Sequence, residues 1–204
     1  PNDALEQSGL FEEALLRGAL GGLASNWLLD TLSFKVYPGT PYLGTIIDCI
    51  LHVARTHTID PKKVKAVHVG AVASAVAIDE RATPFLAGAK TSPLALNYAV
   101  RYNVAAALID KELSPRQFLR EKVKDGLVWD LTNKVRLQVD EEVTRRARES
   151  SVFRTIGGAD GGRRTLDLEH ADLTNYRNSM GARVRVEMED GRTFEAEEEV
   201  PLGG

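Results

Sequence analysis

The segment Ala182–Val200, ARVRVEMEDGRTFEAEEEV, constrains the fold more than any other stretch of the chain. It holds two alternating runs around Asp190-Gly191, and side chains that alternate along a strand point to opposite faces of a sheet. A two-residue loop at Asp190-Gly191 would set Val186 against Glu195 and Val184 against Glu197, apolar against charge. A three-residue loop, Glu189-Asp190-Gly191 with Gly191 left-handed, shifts the register by one. Val186 then faces Phe194 and Val184 faces Ala196 on one side. Arg185 faces Glu195 and Arg183 faces Glu197 on the other, each charge pair contributing roughly 0.2–1 kcal/mol. The three-residue loop is therefore predicted, with one face buried and one solvated.

Further elements follow along the chain. KVKAVHVGAV, residues 63–72, sets Lys65, Val67 and Val69 against Ala66, His68 and Gly70, and KVRLQVD alternates Val135, Leu137 and Val139; both read as strands. A helix is predicted from Thr45 to Thr58, with Ile46, Ile47, Ile50, Leu51 and Ala54 as its apolar stripe. Leu94–Asp110 is rich in Ala and Leu, has no breaker, and reads as one long helix. Ser114, Pro115 and Gln117 form a capping box that opens another. The stretch 77–93 is less patterned, and the polar stretch 141–181, which holds GGADGG, shows no sustained period. Near the start, Phe11, Leu15, Leu16, Leu20 and Leu23 recur at helical spacing around Gly21-Gly22. The fold class expected is α+β, a small antiparallel sheet with helices packed on one face. Two regions are expected: a helical lead-in over 1–34, and an α+β domain over 35–204 with a mobile surface insertion at about 145–180.

Composition narrows the function classes. Hydrophobic residues make up 43% of the 204 and charged residues 27%, as in globular domains. The net charge of −3 gives no general attraction to nucleic acid or anionic lipid, and no apolar run approaches a spanning length. A single cysteine, Cys49, permits no intrachain disulfide and points to a reducing compartment, most simply the cytoplasm. The start on Pro1 and the end at PLGG suggest a segment cut from a longer chain.

The usual catalytic constellations are weak. His52 and His57 are five apart, which turns them about 140° from each other on a helix, so no metal site is expected. GGADGG lacks the Gly-Lys-Ser/Thr ending of a phosphate loop, and Cys49 sits inside an apolar run. Two other places are better. On the long predicted helix Asn97 and Arg101 share one face, and Tyr98 and Tyr102 the adjacent one. Arg101 can receive a carboxylate through two parallel hydrogen bonds, and the phenol of Tyr102 can donate a proton. The plainer reading makes the tyrosines core residues and sends Arg101 to solvent. The second place is KVYPGTPYLG, residues 35–44, where two prolines, two glycines and two tyrosines precede the helix. Such a loop is either a connector or the rim of a site.

Three stretches together resemble the MmgE/PrpD family. SFKVYPGTPYLGTIID is similar to that family's SFKPYPCCRYTHPAID, and PLALNYAVRYNVAAALIDKELSPRQF to its PLEAKFSLPYVVAAALLDGELTLEQF. The terminal ARVRVEMEDGRTFEAEEEVPLG resembles its ARVTVTLADGRTLEAEVDAPRG, and the blocks occur in the same order. The resemblance implies the family's C-terminal α+β domain, with a large helical domain in the same or a partner chain and assembly as a homodimer. It implies a lyase or isomerase of the dehydratase, decarboxylase or epimerase type that acts on a small carboxylate without a cofactor. The family includes methylcitrate dehydratase, cis-aconitate decarboxylase and iminodisuccinate epimerase.

Carried over residue by residue, the resemblance implies Tyr102 and Lys35 as catalytic, since both match residues of the family motifs. Arg101, Asn97, Tyr42, Thr40 and Gly44 are the expected substrate-binding positions. The reactive set is nevertheless altered. Gly44 stands where the family has a pocket histidine, Arg101 replaces a proline, and Gly39-Thr40 replaces a Cys-Cys pair. Loss of an acid/base group typically costs on the order of 10²–10⁴ in rate. Two functions are therefore carried forward: a diverged cofactor-independent lyase or isomerase, and a repurposed non-catalytic binding or dimerisation module.

Overall fold

The computed structural model describes residues 32–149 and 179–204. Of these, 34–147 and 179–204 form one compact unit. The expected helical lead-in up to residue 31, and the expected insertion over 150–178, lie outside the described residues.

The chain enters through a 3₁₀ turn, Pro41–Leu43, that runs directly into α1 (Gly44–Thr56). Ile46, Ile47, Ile50, Val53 and Ala54 bury the inner face of α1, close to the stripe read from the sequence. Strand β1 (Val64–Ala71) follows, then α2 (Ala73–Ala82), α3 (Pro93–Tyr98) and α4 (Val100–Asp110). After the short α5 (Arg120–Val123) come α6 (Gly126–Lys134), β2 (Val135–Val139) and α7 (Glu141–Glu149). The described unit closes with β3 (Ala182–Met188) and β4 (Thr193–Glu198).

The four strands lie in the order β2-β1-β3-β4. The hairpin has the predicted register: Val186 opposes Phe194, Val184 opposes Ala196, Arg185 opposes Glu195 and Arg183 opposes Glu197. Gly191 sits at φ 86° and donates its N–H to the Met188 carbonyl at 3.0 Å, closing the three-residue loop. One expectation needs correction. The sheet is mixed, because β1 and β2 run parallel, with Val67 beside Val135 and Val69 beside Leu137. Parallel neighbours need a crossover, and the helical stretch between Ala71 and Val135 is long enough to return the chain to the same end. The α+β class holds, with helices on the apolar face of the sheet. Val67, Val69, Val184, Val186 and Met188 are buried there against α1 and α6, while α4 packs on β2. The other face carries Lys65, Arg183, Arg185 and Glu187.

The second correction concerns the predicted long helix, which is broken at Ala99 (φ −83°, ψ 90°) into α3 and α4. Two side chains take up the freed backbone groups. Asn103 Nδ2 donates to the carbonyls of Leu96 and Ala99, each at 2.8 Å. Asp79 Oδ1, from α2, accepts the Arg101 N–H at 3.1 Å and so caps α4 from another helix. The capping box of Ser114 and Gln117 is present as predicted, but it opens a 3₁₀ turn, Pro115–Phe118. Helices α2, α6 and α7 are not among the elements the sequence predicts, α7 because Glu141–Glu149 lies in the polar stretch with no sustained period.

Candidate functional site

The loop before α1 is held in place by its own residues and by α3. Lys35 is exposed and donates its ammonium to the Gly39 carbonyl at 2.9 Å. Gly39 adopts φ 111°, and a Cβ there would lie 2.7 Å from Leu43 Cδ2 and 3.3 Å from the Asn97 carbonyl oxygen. The loop and the helix carrying Asn97 thus meet, and only glycine allows the approach. Asn97 is itself half-buried, its amide donating to the Pro93 carbonyl at 3.1 Å. Thr40 is buried and its hydroxyl has no hydrogen-bond partner among the described residues; Tyr42 packs half-buried against the core.

A segment after β4 covers the start of α1. A Cβ on Gly44 would lie 2.8 Å from Pro201 Cβ, closer than two such atoms approach, so Gly44 leaves the room that Pro201 fills. Two hydrogen bonds fasten this strap, and a third holds Asp48 from the loop. The Leu202 N–H donates to Asp48 Oδ2 at 2.8 Å, and the Phe34 N–H donates to the Gly203 carbonyl at 2.7 Å. The Tyr37 hydroxyl donates to Asp48 Oδ1 at 2.6 Å. Burial, and then the Asp48 carboxylate, push the Tyr37 phenol well above its ordinary range, so it stays a donor. Asp48 therefore ties together α1, the loop and the strap.

The pair expected to bind and protonate a substrate is arranged otherwise. The break at Ala99 removes the shared face of Asn97 and Arg101. Arg101 turns to α2, with Nε donating to Asp79 Oδ2 at 2.7 Å and a terminal nitrogen donating to Thr83 Oγ1 at 2.6 Å. Its guanidinium is half-buried, with one edge committed to Asp79 and Thr83. Tyr102 is 0% exposed. Its hydroxyl donates to the Gln117 carbonyl at 2.6 Å, and its ring packs 5.3 Å from Trp129 and 6.3 Å from Phe118. Burial, with Asp110 and Asp125 nearby, raises this phenol to about 12. The Tyr102 side chain is thus enclosed in packing, with its hydroxyl hydrogen-bonded. The plainer reading of the two tyrosines describes only this one, since Tyr98 is 46% exposed.

These observations place the expected residues in two groups. Lys35, Thr40, Tyr42, Gly44 and Asn97 belong to the loop region; Arg101 and Tyr102 are engaged elsewhere. Among the described residues no three His, Cys, Asp or Glu side chains gather as metal ligands. His57 instead stacks on Phe194 at 4.4 Å. The fold and the loop geometry can be set beside known families: the model of the MmgE/PrpD C-terminal domain matches residues 37–182, well over half of the chain. The chain belongs to the MmgE/PrpD family. No curated protein matches it. Asp48 and Pro201, which organise the loop region, and Asp79, which holds Arg101, are not singled out by the sequence. Asp79 carried a usable signal, as an acid inside an Ala-rich run followed closely by a proline. Pro201 carried none, because its partner Gly44 is distant in sequence.

Proposed function

We propose that this MmgE/PrpD-type domain is a binding or assembly module that has given up the acid–base chemistry of its family. The observation that carries the reading is the filled space at Gly44, where Pro201 stands against the position the family gives to a histidine. A general acid or base must come within hydrogen-bond reach of the proton it moves. The buried phenol of Tyr102, already donating to a carbonyl, supports the same reading, as does Arg101 committed to Asp79. Lys35 stays exposed and cationic at the loop, which supports attraction of a small carboxylate without supplying turnover. The expected partners, a large helical domain and a second copy of the chain, belong to this reading as assembly partners.

The competing reading keeps the domain in a cofactor-independent lyase or isomerase of small carboxylic acids. Family membership and the contact of Gly39 with Asn97 beside Lys35 favour it. Deuterium exchange separates the two without knowledge of the product. The full chain is incubated in heavy water with citrate, malate, aspartate and succinate, and the carbons next to the carboxylates are followed by proton NMR. The module reading expects exchange at the solvent rate. Enzyme-dependent exchange that falls in Tyr102→Phe or Lys35→Met would establish the lyase reading instead.

A further inference from the structure

Away from the loop and strap, α2, the 3₁₀ turn Thr83–Phe85 and α3 enclose an apolar trough of about 460 Å³. It shares no residue with the site described above and does not depend on the function proposed there. The volume lies within the roughly 300–1,000 Å³ range of small-molecule sites. Ile78, Ala82, Phe85, Leu94 and Tyr98 supply apolar walls, with the two aromatic rings coming from different elements. Phe85 is 70% exposed, Leu94 69% and Tyr98 46%, more large apolar surface than isolated exposed residues present.

The charge at the trough is one-sided. Arg81 lines it and is exposed, and among the described residues it has neither ion pair nor hydrogen-bond partner. The nearby acid Asp79 is taken by Arg101 and by the backbone of α4. Ser92 also lines the trough, but its hydroxyl is engaged in accepting from the Ala95 N–H at 3.3 Å. A guanidinium has only donors to offer and matches a carboxylate with two parallel bonds. Among the residues that line the trough Arg81 is the one charged side chain, and a single lining cation suits a monoanion better than a phosphate ester.

We infer that this trough is a binding site for a small aryl carboxylate, with the carboxylate on Arg81 and the ring between Phe85, Leu94 and Tyr98. The test is titration of the ¹⁵N-labelled full chain with phenylacetate, with phenethyl alcohol as the neutral analogue. Saturable shifts should be confined to residues 78–98. Arg81→Gln, an exposed substitution, should weaken phenylacetate about tenfold or more, a difference of one decade in dissociation constant. Phenethyl alcohol should bind the wild type more weakly than phenylacetate and should be indifferent to Arg81→Gln. Leu94→Glu should weaken both probes. Absence of saturable binding, shifts centred elsewhere, or an Arg81→Gln chain that binds phenylacetate as well as the wild type would overturn the assignment. So would a wild-type dimer that ignores the probes and becomes monomeric on Leu94→Glu, since the trough would then be a protein interface.

Discussion

At Tyr102 the hydroxyl is taken up inside the packing of the core. The phenol holds the Gln117 carbonyl inside a cluster with Trp129 and Phe118. Tyr102→Phe leaves that buried carbonyl unpaired, and a loss of about 1 kcal/mol in urea unfolding is expected. Gly44 makes the complementary case. Gly44→His would press a Cβ into Pro201, and an overpacking cost of roughly 1–3 kcal/mol is expected. Adding Pro201→Gly should recover part of that loss, a non-additivity that a double-mutant cycle would read directly. The sequence made both positions visible but not their surroundings. Trp129 and Pro201 reach Tyr102 and Gly44 only through tertiary contacts, and no local spacing encodes them.

The elements differ in how much of their form is local. The hairpin's register was legible because alternation and the turn residues sit within one short segment, and the observed pairs are those expected. Gly191 at φ 86° is part of that local code, and Gly191→Ala should cost about 1–2 kcal/mol, checked by thermal unfolding. The break between α3 and α4 is the opposite case. Ala-rich propensity favours a continuous helix, yet Asp79 and Asn103 offer the backbone better partners at Ala99. Asp79→Asn should lower stability by roughly 1–3 kcal/mol, since it weakens a cap and leaves Arg101 without its anion. Amide exchange should then quicken at Arg101 before it does along the rest of α4. Helix α7 had a readable start that the polar composition masked: Asp140 accepts the Val143 N–H at 3.0 Å, and Val143 and Ala147 are buried four apart.

For the molecule as a whole, surface ion pairs contribute to stability against acid. Hydrogen bonds from Arg145 and then Arg146 lower the Glu142 carboxyl from 4.5 to about 2. Glu197 is lowered by Arg183, Glu187 by Lys65 and Asp190 by Arg192. Carboxylates held below their unfolded values stabilise the fold above those values, and the contribution is lost as protons are taken up on acidification. Stability should therefore be level through neutral pH and fall between about 4.5 and about 2, more shallowly in high salt, as followed by circular dichroism. The core gives a separate check. Cys49 is 0% exposed and burial raises its thiol to about 12, so a disulfide reagent at mildly alkaline pH should label it only as fast as the chain opens.

The state of the Tyr102 phenol decides most directly between a closed structural core and a working acid. With ¹³C-labelled tyrosine, assigned through Tyr102→Phe, its ring carbon signal should stay that of a neutral phenol past pH 10 and titrate only toward about 12. Citrate or succinate should leave the signal where it is. Ionisation near 10, or a shift on adding either acid, would mean that the hydroxyl faces an open site, and would contradict a purely structural Tyr102.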